Sequence, residues 1–209
     1  MSVVVAIKHN GAVYLGADSQ VTRGGTRSTL KNPNNFKIWA VKNSNNCLMG
    51  HVGNVRDANI IRLMSNIIDD YDEYIDNINF SFVVKFLVPE MIKNLEKAKY
   101  LKIKDNYFDG FDSSFLFAYK DRLFLINEDG TVLEIEDYCA IGSGASEAIG
   151  SLLSTENEEP LHRIIKAIKA SAAHDIYVDY PIVLNNTNDC KFTILGEDNI
   201  EEFMSGGDK

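Results

Sequence analysis

The chain has 209 residues, 45% of them hydrophobic and 24% charged, proportions of a globular protein rather than a disordered one. Its net charge of -9, with no run of basic residues, excludes a surface built to track nucleic-acid phosphates. Three widely spaced cysteines (Cys47, Cys139, Cys190) form no CxxC pair and fit a reducing, cytosolic setting, and no apolar stretch approaches the ~18 residues of a membrane helix.

Val3-Val4-Val5-Ala6-Ile7 reads as a strand. The run is too short for a signal peptide and has no basic residues before it. Asn10-Gly11 follows, a two-residue hairpin signal because both positions tolerate positive φ. A second strand, Val13 to Ala17, then ends on Asp18. Residues 22–35, rich in Gly, Thr, Asn and Ser, read as a surface loop. Strands are expected at Lys37–Val41 and Cys47–Gly53.

A helix is expected from Asn54, a good N-cap. Ile60, Ile61, Met64, Ile67, Ile68, Tyr71 and Ile75 recur at helical spacing, opposite Asp69, Asp70, Asp72 and Glu73. A second helix carries Val83, Val84, Leu87, Val88, Met91, Ile92 and Leu95, and Pro89 within it predicts a kink or restart. Residues 99–113 read as a connection of low order. Strands resume at Ser114–Tyr119, Leu123–Asn127, Val132–Ile135 and Ala140–Ile141. Gly142-Ser143-Gly144 leads into a helix from Ala145 to about Leu153, and another starts at Pro160. Asp175–Val178 and Lys191–Leu195 read as closing strands, with a polar tail from about 199. Tight turns make neighbouring strands antiparallel. The order predicts an α+β fold in one domain over residues 1–209: a four-layer αββα sandwich of two antiparallel sheets, each covered by a helix pair.

The chemistry sits at the beginning of the chain. A small residue behind Met1 favours removal of that Met, which would leave Ser2 with its hydroxyl and a free amine on one carbon. A serine hydroxyl needs a base, and an α-amine titrating near 7.7–8.0 can serve. Lys37 and Asp18 would supply a charge and an orienting acid if the first three strands are neighbours. Taken singly these residues are ordinary: Asp18 a turn former, Lys37 a strand-edge lysine, Ser143 a helix cap. Their order and spacing carry the argument. No metal-ligand spacing joins His9, His162 or His174 to carboxylates or thiols, so no metal and no cofactor is expected.

Ser2, Asn10-Gly11, Gly16-Ala17-Asp18-Ser19-Gln20, Lys37-Ile38, Gly50-His51-Val52-Gly53, Gly142-Ser143-Gly144 and Asp175 together resemble proteasome β-type subunits, most closely the bacterial HslV-like branch of N-terminal nucleophile (Ntn) hydrolases. The resemblance spans about residues 2 to 195. It implies peptide hydrolysis with Ser2 as nucleophile, where the family has Thr. It implies Lys37 and Asp18 as supporting charges, Gly53 as donor of the oxyanion N–H, and Ser143 and Asp175 as further site residues. Val21 and Thr22 would hold a polypeptide substrate as an added strand, and His51 would line the primary specificity pocket, favouring a polar or modestly sized side chain. It further implies a homo-oligomeric ring or stacked assembly and an AAA+ unfoldase as a candidate partner. The chain departs from the family in its serine nucleophile, in a longer segment before Lys37 that makes Lys31 a competitor, and in Val178 where a later Ser is usual. Three alternatives stand beside this reading: a small-molecule amidase on the same fold, a silent assembly subunit that keeps Met1, and a non-enzymatic binding module.

Overall fold

The computed structural model describes residues 2–42, 44, 46–64, 78–99, 102–104 and 107–206. Strands β1 (Val3–His9) and β2 (Ala12–Ala17) form the first hairpin, with Asn10 and Gly11 at φ +48° and +79°. β3 (Gln20–Arg23) and β4 (Thr26–Thr29) make a second, smaller hairpin where the sequence suggests loop. Gly24-Gly25, both at positive φ, supply its turn, and the polar strands beside it hide the pattern. β5 (Ile38–Ala40) and β6 (Cys47–Gly53) follow, then α1 (Val55–Arg62), whose N-cap Asn54 accepts from Arg56 N. The expected apolar positions Ile67, Ile68, Tyr71 and Ile75, and the acids from Asp69 to Glu73, lie outside the described residues.

The helical segment around Pro89, expected to kink or restart, instead runs on without a break in its helical backbone and only widens before the proline. α2 (Phe80–Phe82) passes through a π turn at Val83–Leu87 into α3 (Val88–Lys97), with Pro89 in its first turn. The missing proline N–H accounts for the widened turn before it. Within residues 99–113, expected to lack order, β7 (Lys102–Lys104) and β8 (Tyr107–Gly110) pair as a ribbon. β9 (Ser113–Tyr119), β10 (Arg122–Ile126) and β11 (Val132–Ile135) then form a meander, β12 (Tyr138–Gly142) crosses to pair with β1, and α4 (Ala145–Ser154) and α5 (Pro160–His174) follow.

The C-terminal part differs from expectation. Residues 175–178 are a turn, not a strand: Asp175 Oδ1 accepts from Tyr177 N and Asp175 O from Val178 N, which closes the chain locally. The closing strand is β13 (Ile182–Asn186), disguised by two asparagines, with β14 (Thr193–Leu195) beside it. The polar tail forms α6 (Ile200–Ser205), anchored by buried Ile200.

Two five-stranded antiparallel sheets result, in the orders β12-β1-β2-β13-β14 and β11-β10-β9-β6-β5. Val4, Ala6, Val13 and Leu15 of the first meet Ile38, Leu48, Leu116 and Ala118 of the second. The alternate residues Val3, Val5 and Ile7 face Ala148, Leu152, Ile164 and Ile168 of α4 and α5. On the far side Met49, Phe115, Phe117 and Phe124 pack on Ile61, Met91 and Leu95 of α1 and α3. This is the expected four-layer αββα sandwich. It explains why β1 is apolar without alternation: both its faces are covered, each buried Val or Ile contributing ~1.5–3 kcal/mol. α5 lies so close on β2 that a Cβ at Gly16 would sit 2.2 Å from Ile164. Among the described residues no helix is long and apolar enough to cross a membrane.

Candidate active site

The first hairpin sets the geometry. Its register runs from His9↔Ala12 to Val4↔Ala17, so Asp18 arrives opposite the chain's beginning. There Asp18 Oδ1 accepts from Val3 N at 2.9 Å and from Lys37 Nζ at 2.6 Å. Oδ2 accepts from Gln20 N at 3.0 Å and Asp179 N at 3.5 Å. A carboxylate with a side chain 0% exposed is tolerable only with such a full set of donors. Lys37 comes from the residue before β5, held by a bond from His51 N to Lys37 O. Burial pulls its ammonium below the ordinary lysine value, while the neighbouring Asp18 carboxylate, and more weakly Asp175, push the other way. Lys31, the competing lysine, is exposed.

Ser2 is buried and its backbone is clamped on three sides. Its N donates to Ser143 Oγ at 3.0 Å. Its carbonyl accepts from Gly144 N at 3.3 Å and faces the Ser143 hydroxyl at 3.4 Å. The next amide is the one bound to Asp18. Gly142 permits this approach, since a Cβ there would lie 2.1 Å from Ser2 O.

Gly53 ends β6 at φ +116°, a conformation open to glycine, and a Cβ would strike Asp112 O at 2.3 Å. A buried polar chain fixes the backbone around it. Ser113 Oγ, opposite Gly53, donates to Asp57 Oδ2 at 2.8 Å and accepts from Asn54 N at 3.0 Å. Asp112 N donates to the same Asp57 oxygen at 3.2 Å. His51 Nε2 lies 3.0 Å from Asn54 O and 3.1 Å from Ser113 Oγ; the carbonyl assigns the proton to Nε2. Burial, helped by the charges of Arg62 and Lys37, drives the His51 pKa down to about 3, so the ring is neutral.

A cavity of about 70 Å3 opens beside these groups, with Ser2, Lys37, His51, Gly53, Val21 and Thr22 all on its walls. Eight of the nine residues singled out from the sequence are therefore brought together, counting Asp18 and Ser143 through their bonds to Lys37 and Ser2. Asp175 is the exception. Its Oδ1 serves Tyr177 N, its Oδ2 has no partner among the described residues, and it reaches Lys37 only through its charge. Sequence reasoning missed Asp57 and Ser113. An acid three residues past an N-cap signals a helix start, but nothing local says that it turns inward to a distant strand. Arg62, also missed, reaches the cavity from the last turn of α1. Among the described residues no cluster of three or more metal-ligating side chains occurs.

These features agree with the comparisons. The proteasome subunit family matches residues 2–184. The ATP-dependent protease subunit HslV of Borreliella burgdorferi is 28% identical over 188 residues, covering 88% of this chain and 94% of its own. The solved structure titled Thiobacillus denitrificans BPH in complex with Epoxomicin superimposes with a TM-score of 0.69 at 16% identity, covering 90% of this chain and 99% of its own. Eukaryotic HslV from Trypanosoma brucei gives a TM-score of 0.67 at 18% identity, with 88% and 98% covered. The chain belongs to the proteasome subunit family, and within it resembles the β-type, HslV-like Ntn hydrolases.

Proposed function

We propose that the protein is a peptidase whose nucleophile is the hydroxyl of Ser2, made competent when Met1 is removed. The observation that carries this reading is the convergence of Ser2, Lys37 and Gly53 on one cavity, with Asp18 tying the backbone behind Ser2 to Lys37. Ser2 Oγ attacks the peptide carbonyl carbon. Its proton passes to the α-amine, directly or through one water, and from there to the leaving amine. Ser143, which accepts from Ser2 N, orients that amine with its lone pair available. Lys37 stabilises the alkoxide and Asp18 holds Lys37 in place. Gly53 N–H receives the developing oxyanion, a contact of a kind worth roughly 3 kcal/mol elsewhere. Water then releases the acyl group by the same steps in reverse. Asp175 tunes the charge at Lys37 from a distance, and β3, with Val21 and Thr22 on the cavity wall, aligns an extended substrate.

We place it in a cytosolic assembly of identical subunits served by an AAA+ unfoldase; what supports this is that relatives are named ATP-dependent protease subunits, a multi-subunit protease that draws on ATP. The test has two parts. N-terminal sequencing of protein from its natural host is expected to begin at Ser2. Ser2→Ala is expected to lower fluorogenic-peptide hydrolysis about 10^4-fold or more with unchanged circular dichroism. Retained activity in that variant would refute the mechanism.

A further inference from the structure

We propose that the cavity beside Ser2 selects an acidic side chain, Glu or Asp, on the residue whose carbonyl Ser2 attacks, and that the Arg62 guanidinium receives its carboxylate. The inference rests on the hydrolase reading above and adds to it the class of substrate.

A carbonyl seated between the Ser2 hydroxyl and the Gly53 N–H places its own residue's Cα one bond away. The side chain on that Cα enters the space these two residues share with Arg62 and Asn59. The charges around this space do not balance. No carboxylate is among the described residues that line it. Lys37 is matched by Asp18, and His51 is neutral. Arg62 is left over. Burial lowers its pKa to about 10, which still leaves it charged at neutral pH. Its Nη2 donates to Phe36 O and its Cζ lies over the Trp39 ring, 4.6 Å from the centroid, so the head group is held in place. Its Nε and Nη1 are shut off from solvent and have no acceptor among the described residues. Those two nitrogens lie behind the cavity surface, so what the half-buried guanidinium offers an incoming carboxylate is a positive charge that no acid on the cavity wall balances among the described residues. A Lys or Arg side chain would meet like charge, and a large aromatic one would exceed the room.

The experiment uses the protein beginning at Ser2 and peptides that differ only at the residue before the scissile bond: Glu, Asp, Gln, Leu or Lys. Peptide aldehydes ending in Glu or Gln, which form reversible adducts with a serine hydroxyl, give an independent binding ratio by calorimetry. For the wild type, kcat/KM for Glu is expected to exceed that for the isosteric Gln by about 10- to 100-fold, with a parallel ratio for the aldehydes. Arg62→Gln is expected to bring the ratio near one, and Arg62→Lys to keep part of it. The ratio is taken within each protein, so a general loss of stability does not move it. Equal cleavage after Glu and Gln, or a preference that survives Arg62→Gln, would overturn the assignment while leaving the hydrolase reading intact. No hydrolysis and no aldehyde binding would overturn both.

Discussion

The two sides of Ser2 are built on opposite terms. Behind it, every hydrogen-bonding site on Asp18 that the fold can reach is filled, by three backbone amides and Lys37. In front of it, the cavity wall holds groups left wanting: two nitrogens of Arg62 and Oε1 of Gln20 have no partner among the described residues. The contrast separates two tasks. Groups that must act the same way on every substrate are preorganised, and a buried ion pair fully hydrogen-bonded costs nothing more to reorganise. Groups that must tell one substrate from another are left to be completed by the right one.

Asp18→Ala attacks the satisfied side and carries the largest expected effect on stability. It strands the buried Lys37 ammonium and three backbone donors, and should lower unfolding free energy by ~3–5 kcal/mol in urea titration. A loss below ~1 kcal/mol would mean that the pair is far less buried than described. Next comes the neutral histidine at the seam between the two sides. His51 has a pKa near 3 when folded and near 6.5 when unfolded, so between these values only the unfolded chain binds the proton. Stability is therefore complete above about pH 6.5 and is lost as pH falls towards 3. Between pH 7 and pH 4.5 the loss should be ~2–3 kcal/mol, and His51→Gln should remove that part of the slope. An identical slope in the variant would reassign the effect to other groups. Smallest is Ser143→Ala, which removes one bond to Ser2 N. It should cost ~1 kcal/mol of stability and lower kcat without moving the Glu-to-Gln preference, because it lies on the other side of Ser2. A changed preference would show that the two sides are not independent.

The satisfied side was largely legible in the sequence and the unsatisfied side was not. Asn10-Gly11 fixes a hairpin by local backbone chemistry, and counting along two paired strands brings Asp18 to Val3. Gly142-Ser143-Gly144 and Gly53 are readable because only glycine suits backbones that approach so closely. Arg62 carries no such mark. At the end of a short helix it reads as a cation placed against the helix dipole, and its burial depends on Trp39 and Phe36, more than twenty residues away. Asp57 is hidden in the same way. β13 was obscured by Asn185 and Asn186, whose place in the sheet comes from pairing with β2 rather than from propensity. Asp175 shows the reverse error: its turn at the end of α5 was mistaken for the strand that begins seven residues later.

The six residue pairs between β1 and β2 act as a ruler. Because successive side chains in a strand point to opposite faces, inserting or deleting one residue between Ser2 and Asn10 would turn the serine away from Lys37 and put a different amide against Asp18. On the proposed mechanism, the distance from Ser2 to the first bend is thus a quantity the protein cannot vary. The β3–β4 tip, which carries no such count, can lengthen or shorten freely.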